Sequence, residues 1–456
     1  MESLMDLDFV RDSGQLDLAG PAVLVIATLD TKGEEVVFLA NAIVEAGGAP
    51  VLLDSSVAAG SFEQPYPFVS REAVAAAAGS TIADVSALPR GEAVEKMQAG
   101  VRELAAELVS GGHVHGAICI GGAGAHLAGP AFQELEVGFP KMVVSPLASG
   151  QRQFEPYVGL RDVAVMHSVA DIAGVNDITE RVYGSAAGYI TGAAAAHARH
   201  QSEGPGGEDE RRTIAISMNG NTTKAMDRGR ARLEGAGFAV VVFHANGVGG
   251  RALEDFVESG RASAVLDFTL TELGADLVGG LMKTGGHRME AAGANGLPQV
   301  LVPGCVDFIT CGPWAVAEAE FPGRPMFRHN PELTLVRLSA EEMAELGRIF
   351  AAKANGATGP TSILVPGRGL SVPDTEGGPF WDPETDAAFV AALREEIRDG
   401  IKVEVLDAHI NDASFADAAV DELLALIAAS EADGSGSAQS LAATGGSPAA
   451  EEGFGA

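Results

Sequence analysis

The sequence predicts an α/β protein of two Rossmann-like subdomains with mainly parallel sheets, and three observations predict it. Short apolar runs such as PAVLVIATLD alternate with segments of helical period. Helical segments are closed by glycine, at Gly47 and Gly48 and again at Gly237. The pattern also starts twice, once near residue 21 and once near residue 211.

Residues 1–20 read as a loose leader. The run at 22–28 is a buried parallel strand, and DTKGEEVVFLANAIVEAGG carries apolar residues at Val36, Val37, Leu39, Ile43 and Val44, a helix pattern. APVLLD is the next strand, so the unit is β-α-β with the helix as crossover. Residues 55–95, with Pro65, Pro67 and Pro89, read as an excursion holding a short helix. A longer helix follows from Gly91 to about Val109, then strands in GAICIGGAGAH, PKMVVSPLASG and VAVMHSV, then an alanine-rich helix over 175–200. The first domain therefore spans 21–200, and the polar, glycine-bearing 201–210 is the linker.

The second domain, 211–430, restarts with RRTIAISMNGNTTKAMDRGRARLEGAGFAVVVFHANG. Both copies place Thr-Lys after the first strand, Thr31-Lys32 and Thr223-Lys224, and PKMVVSP at 140 resembles PQVLVPG at 298. This reads as an internal duplication with the 55–95 excursion in the first copy only, or as chance similarity between two Rossmann-like units. SILVPGRG and IKVEVLDAH are further strands, 413–430 a closing amphipathic helix, and 431–456 a disordered tail of low complexity.

The 456 residues hold 62 Asp and Glu against 30 Lys and Arg, a net charge of −32. Such a surface repels polyphosphate and disfavours general nucleic-acid binding. A GC-rich genome and a high-salt cytoplasm are both consistent with this balance. No stretch of apolar residues is long enough to span a membrane, and the acidic N-terminus lacks the pattern of a signal peptide. The expected compartment is the cytoplasm. Cys119, Cys305 and Cys311 lie in apolar contexts and read as small buried hydrophobes.

Ligands of open α/β sheets bind at the carboxyl ends of the strands, so the loops leaving strands are the candidates. Asp30-Thr31-Lys32-Gly33 lies directly ahead of a helix, whose first amides favour an anion. Lys32 is placed to reach a phosphate, and Asp30 to cap the helix or to hold Mg²⁺ through water; a plain N-cap beside a solvated lysine fits the same residues. Gly121-Gly122-Ala123-Gly124 lets backbone approach a ligand closely, or makes a tight turn; it lacks the ending of a Walker A loop. The turn Ala148-Ser149-Gly150 adds a hydroxyl and amides. In the second half, Gly247, Gly249, Gly250 and Arg251 form a plausible anion cradle at a helix start, and Asp267 and Glu272 follow another strand. Asp307 leaves the next strand. Of ten histidines, His113 and His115 read as inert members of a surface turn, and His244, His329 and His409 as the better candidates. No GxSxG motif is present, against an α/β-hydrolase.

The strings LDTKGEE, IGGAGA, PKMVVSPLASG, VFHANGVGGRALE, VLDFTLTEL, RHNPELTLVR, PFWDPETD and AHINDASFAD together resemble the Tm-one-like ATP-binding family, over residues 21–430. The resemblance implies two Rossmann-like subdomains, ATP with Mg²⁺, and a homodimer or higher oligomer. It places ATP mainly in the first half, on Asp30, Thr31, Lys32, Arg90 and the loop Gly121–Gly124; Ser149 and Gly150 join this set by their place after a strand. Ala125-His126 departs from the family's usual Gly-Gly-Thr continuation.

The expected function is ATP binding in the cleft formed by the two halves, with a small metabolite held by Arg251, Asp267, Glu272, His329 and His409 if the protein is an enzyme. The alternatives are a non-catalytic nucleotide-sensing module that docks a partner, and an isomerase or hydrolase that does not use ATP.

Overall fold

The computed structural model describes residues 20–58, 60, 66–122, 125, 127–148, 155–203 and 211–432. The expected leader, most of the linker and nearly all of the tail lie outside these residues. The chain divides into two compact units, Met1–Glu208 and Asp209–Ala456.

The first unit is built on six strands: β1 (Ala22–Ala27), β2 (Ala49–Asp54), β3 (Phe68–Val69), β4 (Gly116–Ile120), β5 (Lys141–Ser145) and β6 (Val163–His167). They pair in parallel in the order β3-β2-β1-β4-β5-β6. Side chains of a strand alternate between faces, so each strand feeds two cores. Leu24 and Ile26 of β1 pack with Val101 and Leu104 on one face. Val23 and Val25 pack with Leu39, Ile43 and Ile190 on the other. The helix Leu29–Glu45 ends where Gly47 takes a left-handed φ of 86° and Gly48 N–H bonds back to the Ile43 carbonyl.

The second unit holds β7 (Thr213–Met218), β8 (Ala239–His244), β9 (Ala264–Asp267), β10 (Gln299–Leu301), β11 (Phe308–Cys311), β12 (Met326–Arg328), β13 (Thr334–Arg337), β14 (Thr361–Pro366) and β15 (Lys402–Leu406). Six of them form a parallel sheet in the order β15-β14-β10-β9-β7-β8. Without edge strands β3 and β15, the two sheets read β2-β1-β4-β5-β6 and β8-β7-β9-β10-β14, the same order. The strings PKMVVSP and PQVLVPG fall on β5 and β10, equivalent positions, as a duplicated unit requires. Gly237 repeats the left-handed helix stop, at φ 94°.

The excursion differs in detail from its expected single short helix. It supplies β3 and two short helices, Arg71–Ala77 and Ile82–Ala87, because Ser70 and Thr81 each accept an amide hydrogen at a helix start. The antiparallel sheet β11-β13-β12 was not legible in the sequence: its strands are three or four residues long, too short for a period to show. Cys119, Cys305 and Cys311 are all buried free thiols, as expected. His115 Nδ1 accepts the Ala22 amide hydrogen at the start of β1 (3.0 Å), a structural tie for that turn.

Candidate functional site

In the first sheet β1 lies between β2 and β4, so its crossovers leave on opposite faces. That switch point opens a crevice at the carboxyl edge, the expected place for a ligand. A cavity of about 1190 Å³ lies there, and all its lining residues belong to the first unit. Three cations line it, Lys32, Arg71 and Arg90, with the carboxylates Asp30 and Asp171 and the turn Gly121–Gly122.

Two helix starts contribute. The helix Leu29–Glu45 begins at Thr28, not at Asp30, which lies in the first turn. The capping role expected of Asp30 belongs to Asp54 at the end of β2, whose Oδ1 accepts the amide hydrogens of Leu29 (3.2 Å) and Ser56 (2.9 Å). Lys32 leaves helical geometry (φ −127°, ψ 19°), so the first turn is kinked away from the rest. The helix Arg90–Ser110 follows Pro89, which has no side-chain oxygen to cap the first amides. Arg90 itself is exposed.

The segment after β6 closes the crevice on another side. Lys32 Nζ donates to the Ile172 carbonyl, and Glu35, buried on the same helix, accepts the Gly174 amide hydrogen at 2.7 Å. These bonds hold Asp171 in the cavity wall. Two lining residues keep buried polar atoms without a partner, Asp30 Oδ1 and Ser55 Oγ. Orphaned polar atoms of this kind call for an explanation, and a bound ligand or water supplies one. Gly122 faces open space where a side chain would begin. Ala123, Gly124, Ser149 and Gly150 lie outside the described residues. Ala125, at the family departure, is fully buried in an apolar cluster.

The second unit corrects several expectations. Asp267 and Glu272 are buried and committed to Arg288, a fully buried residue that sequence reasoning missed. Arg288 grips Asp267 through Nη1–Oδ2 (2.6 Å) and Nη2–Oδ1 (2.7 Å), Glu272 Oε2 through Nε (2.6 Å) and Glu254 Oε1 through Nη1 (3.1 Å). Burial pushes the Glu272 carboxyl above its ordinary range, against the pull of Arg288. The expected cradle at Gly247–Arg251 exists, but the chain fills it with its own anion. Glu272 Oε1 accepts the amide hydrogens of Gly247 (2.7 Å) and Gly250 (3.1 Å). Neither carboxylate is therefore open to a metal or to acid–base work in this conformation.

Arg251, His244 and His329 are exposed, while His409 is half-buried. His409 Nδ1 accepts the Asn411 amide hydrogen (3.1 Å), which leaves Nε2 to donate to the Ser371 carbonyl (2.9 Å). Only Asp267 and Glu272 of the five candidates converge on one partner. Arg71, Asp171 and Ser55 were also missed. The carboxyl-end rule points to Ser55, which follows β2, and to Asp171, in the loop after the strand VAVMHSV; Arg71 lies in the excursion, where no strand was expected. Among the described residues no group of three His, Cys, Asp or Glu has the arrangement of a metal site, and no helix is long and apolar enough to cross a membrane.

Fold and site together define a two-unit α/β protein whose first unit carries a cation-lined cavity at its switch point. The chain belongs to the Uncharacterised protein family (UPF0261): the model of that family's N-terminal domain matches residues 21–199 and the model of its C-terminal domain residues 211–427. A UPF0261 protein of Clostridium tetani is 36% identical over 405 residues, 88% of this chain and 98% of the relative. The ToMV resistance protein Tm-1(GCR237) of Solanum lycopersicum is 35% identical over 316 residues, 68% of this chain and 41% of the tomato protein. A crystal structure of Acinetobacter baumannii MurG aligns over 89% of this chain and 99% of its own at 14% identity, with a TM-score of 0.23, too low to carry an argument.

Proposed function

We propose that the first unit binds ATP, with Mg²⁺, in the cavity at the β1/β4 switch point. The observation that carries this reading is the charge of the cavity. In a chain with twice as many acids as bases, this one crevice is lined by three cations and two carboxylates. An anionic ligand needs such a local reversal of the surrounding field. Lys32 and Arg90 suit the phosphates, with the Gly121–Gly122 backbone close by; Val57, Leu88 and Val94 offer an apolar wall for a base. Asp30 suits a water-bound Mg²⁺, and its orphaned Oδ1 is the acceptor such a water would use.

The reading stops at binding. The two carboxylates expected to do acid–base chemistry in the second unit are both held by Arg288, which favours a nucleotide-sensing role over turnover. Calorimetric titration of the full chain with ATP, ADP and GTP, each with and without Mg²⁺, tests the proposal. ATP is expected to bind, more tightly with Mg²⁺ than without. Absence of heat and of any thermal shift with every adenine nucleotide sinks it, and steady ADP release would restore the enzyme reading.

A further inference from the structure

A second cluster of buried charge lies beyond the carboxyl edge of the second sheet. Asp307 follows β10, Asp374 lies in the loop after β14, and Asp386 belongs to the helix Pro383–Glu396. Arg337 at the end of β13 pairs with Asp386 and feels the charges of Asp307 and Asp374. Arg337 donates through Nη2 to Asp386, through Nη1 to the Asp307 carbonyl (2.9 Å) and through Nε to the Phe380 carbonyl (3.1 Å). The Ser371 hydroxyl donates to Asp307 Oδ2 (2.7 Å), and the Leu370 amide to Asp374 Oδ2 (2.7 Å). The remaining oxygen of each, Asp307 Oδ1 and Asp374 Oδ1, is buried without a partner, and both residues are fully buried.

Three carboxylates therefore surround one guanidinium. Were all ionised, an excess of negative charge would sit largely out of water's reach, with only Asp386 partly exposed, which is costly. Proton uptake by Asp307 and Asp386 removes the excess. The contacts converge on one segment, since Ser371, Asp374 and Phe380 all lie between Gly369 and Trp381. That segment covers Cys305: Phe380 packs with Cys305, Phe308 and Leu335. Cys305 is buried and held at a left-handed φ of 61°, and its thiol donates to Asn219 Oδ1 (3.4 Å).

We propose that Asp307, Asp374, Asp386 and Arg337 form a proton-operated latch that holds segment 369–381 over Cys305, closed while Asp307 and Asp386 are protonated and released as these two ionise. Burial supports this by pushing Asp307 up to about 7 and Asp386 up to about 8, with Arg337 opposing and Asp374 adding. Other charged or titratable groups at the cluster are Asp382, engaged with Thr385, the Cys305 thiol, pushed well up by burial, and His409, on the Ser371 carbonyl.

Trp381 lies in the segment, and Trp314 is the chain's other tryptophan. In a full-length Trp314→Phe protein, Trp381 emission should show one transition with a midpoint between about pH 7 and 8. Across that transition, iodoacetamide labelling of Cys305 should rise several-fold relative to Cys119, the ratio cancelling the general rise in thiolate. Asp307→Asn, a neutral isostere of the protonated acid, should suppress both changes; Asp386→Asn serves if that protein misfolds. A flat emission signal with a constant labelling ratio overturns the latch, as does a folded Asp307→Asn protein that keeps the transition.

Discussion

Glu272 Oε1 lies 2.7 Å from the Gly247 amide nitrogen, so the helix start at Gly247 is closed by a carboxylate of the same chain. The other Glu272 oxygen meets Arg288 at 2.6 Å, and Arg288 in turn holds Asp267 and Glu254. Asp267 and Glu272, two of the five candidates in sequence, belong to the buried polar frame of the second unit.

Arg288→Met should therefore destabilise the protein by roughly 3–5 kcal/mol, because it leaves buried carboxylates without a counter-charge. Urea denaturation of the full chain, followed on probes in the second unit, measures this. A loss below about 1 kcal/mol, the range of exposed pairs, would show that the frame is not stabilising.

Gly250→Ala tests the cradle directly. A β-carbon there falls 2.2 Å from Glu272 Oε2, and the buried carboxylate has little room to retreat. The expected cost is about 1–3 kcal/mol, the range for overpacking. Arg251→Ala, one residue on but exposed, should change stability by no more than about 0.5 kcal/mol.

In the first unit, Lys32→Ala should weaken ATP binding by roughly 1.5–3 kcal/mol, the range for hydrogen bonds to charged groups. Gly122→Ala should weaken it without changing the melting temperature, because no atom lies within 4 Å of the new β-carbon. Unaltered affinity in both folded variants would move the nucleotide elsewhere.

The stability of the second unit should also depend on pH. Burial pushes Asp307 up to about 7 and partial burial pushes Asp386 up to about 8, whereas an unfolded aspartate loses its proton near about 3.9. Folding then takes up protons between those values. The contribution is greatest at or below the unfolded pKa, falls as pH rises, and is spent once pH passes the folded values. Denaturation midpoints should therefore drop from about pH 6 to about pH 8.5, and Asp307→Asn should flatten that drop. A midpoint that rises over the window in the parent protein contradicts the assignment.

The sequence by itself determined the α/β class, the two starts of the β-α-β pattern and the glycine stops at Gly47 and Gly237. These follow from period and from local backbone freedom, which neighbouring residues set. It also pointed to Lys32 and the glycine turn as one site, since strand-end loops of one parallel sheet share an edge, and the family resemblance added Arg90. Tertiary structure alone decided which anion fills each helix start and which acids are free. Arg288 lies 16, 21 and 34 positions from Glu272, Asp267 and Glu254, and no period links them. Asp54 rather than Asp30 caps the first helix because parallel pairing brings the end of β2 beside the end of β1. A charged side chain looks the same in sequence whether it awaits a ligand or already has a partner; only packing, by removing water and bringing distant residues together, makes that choice.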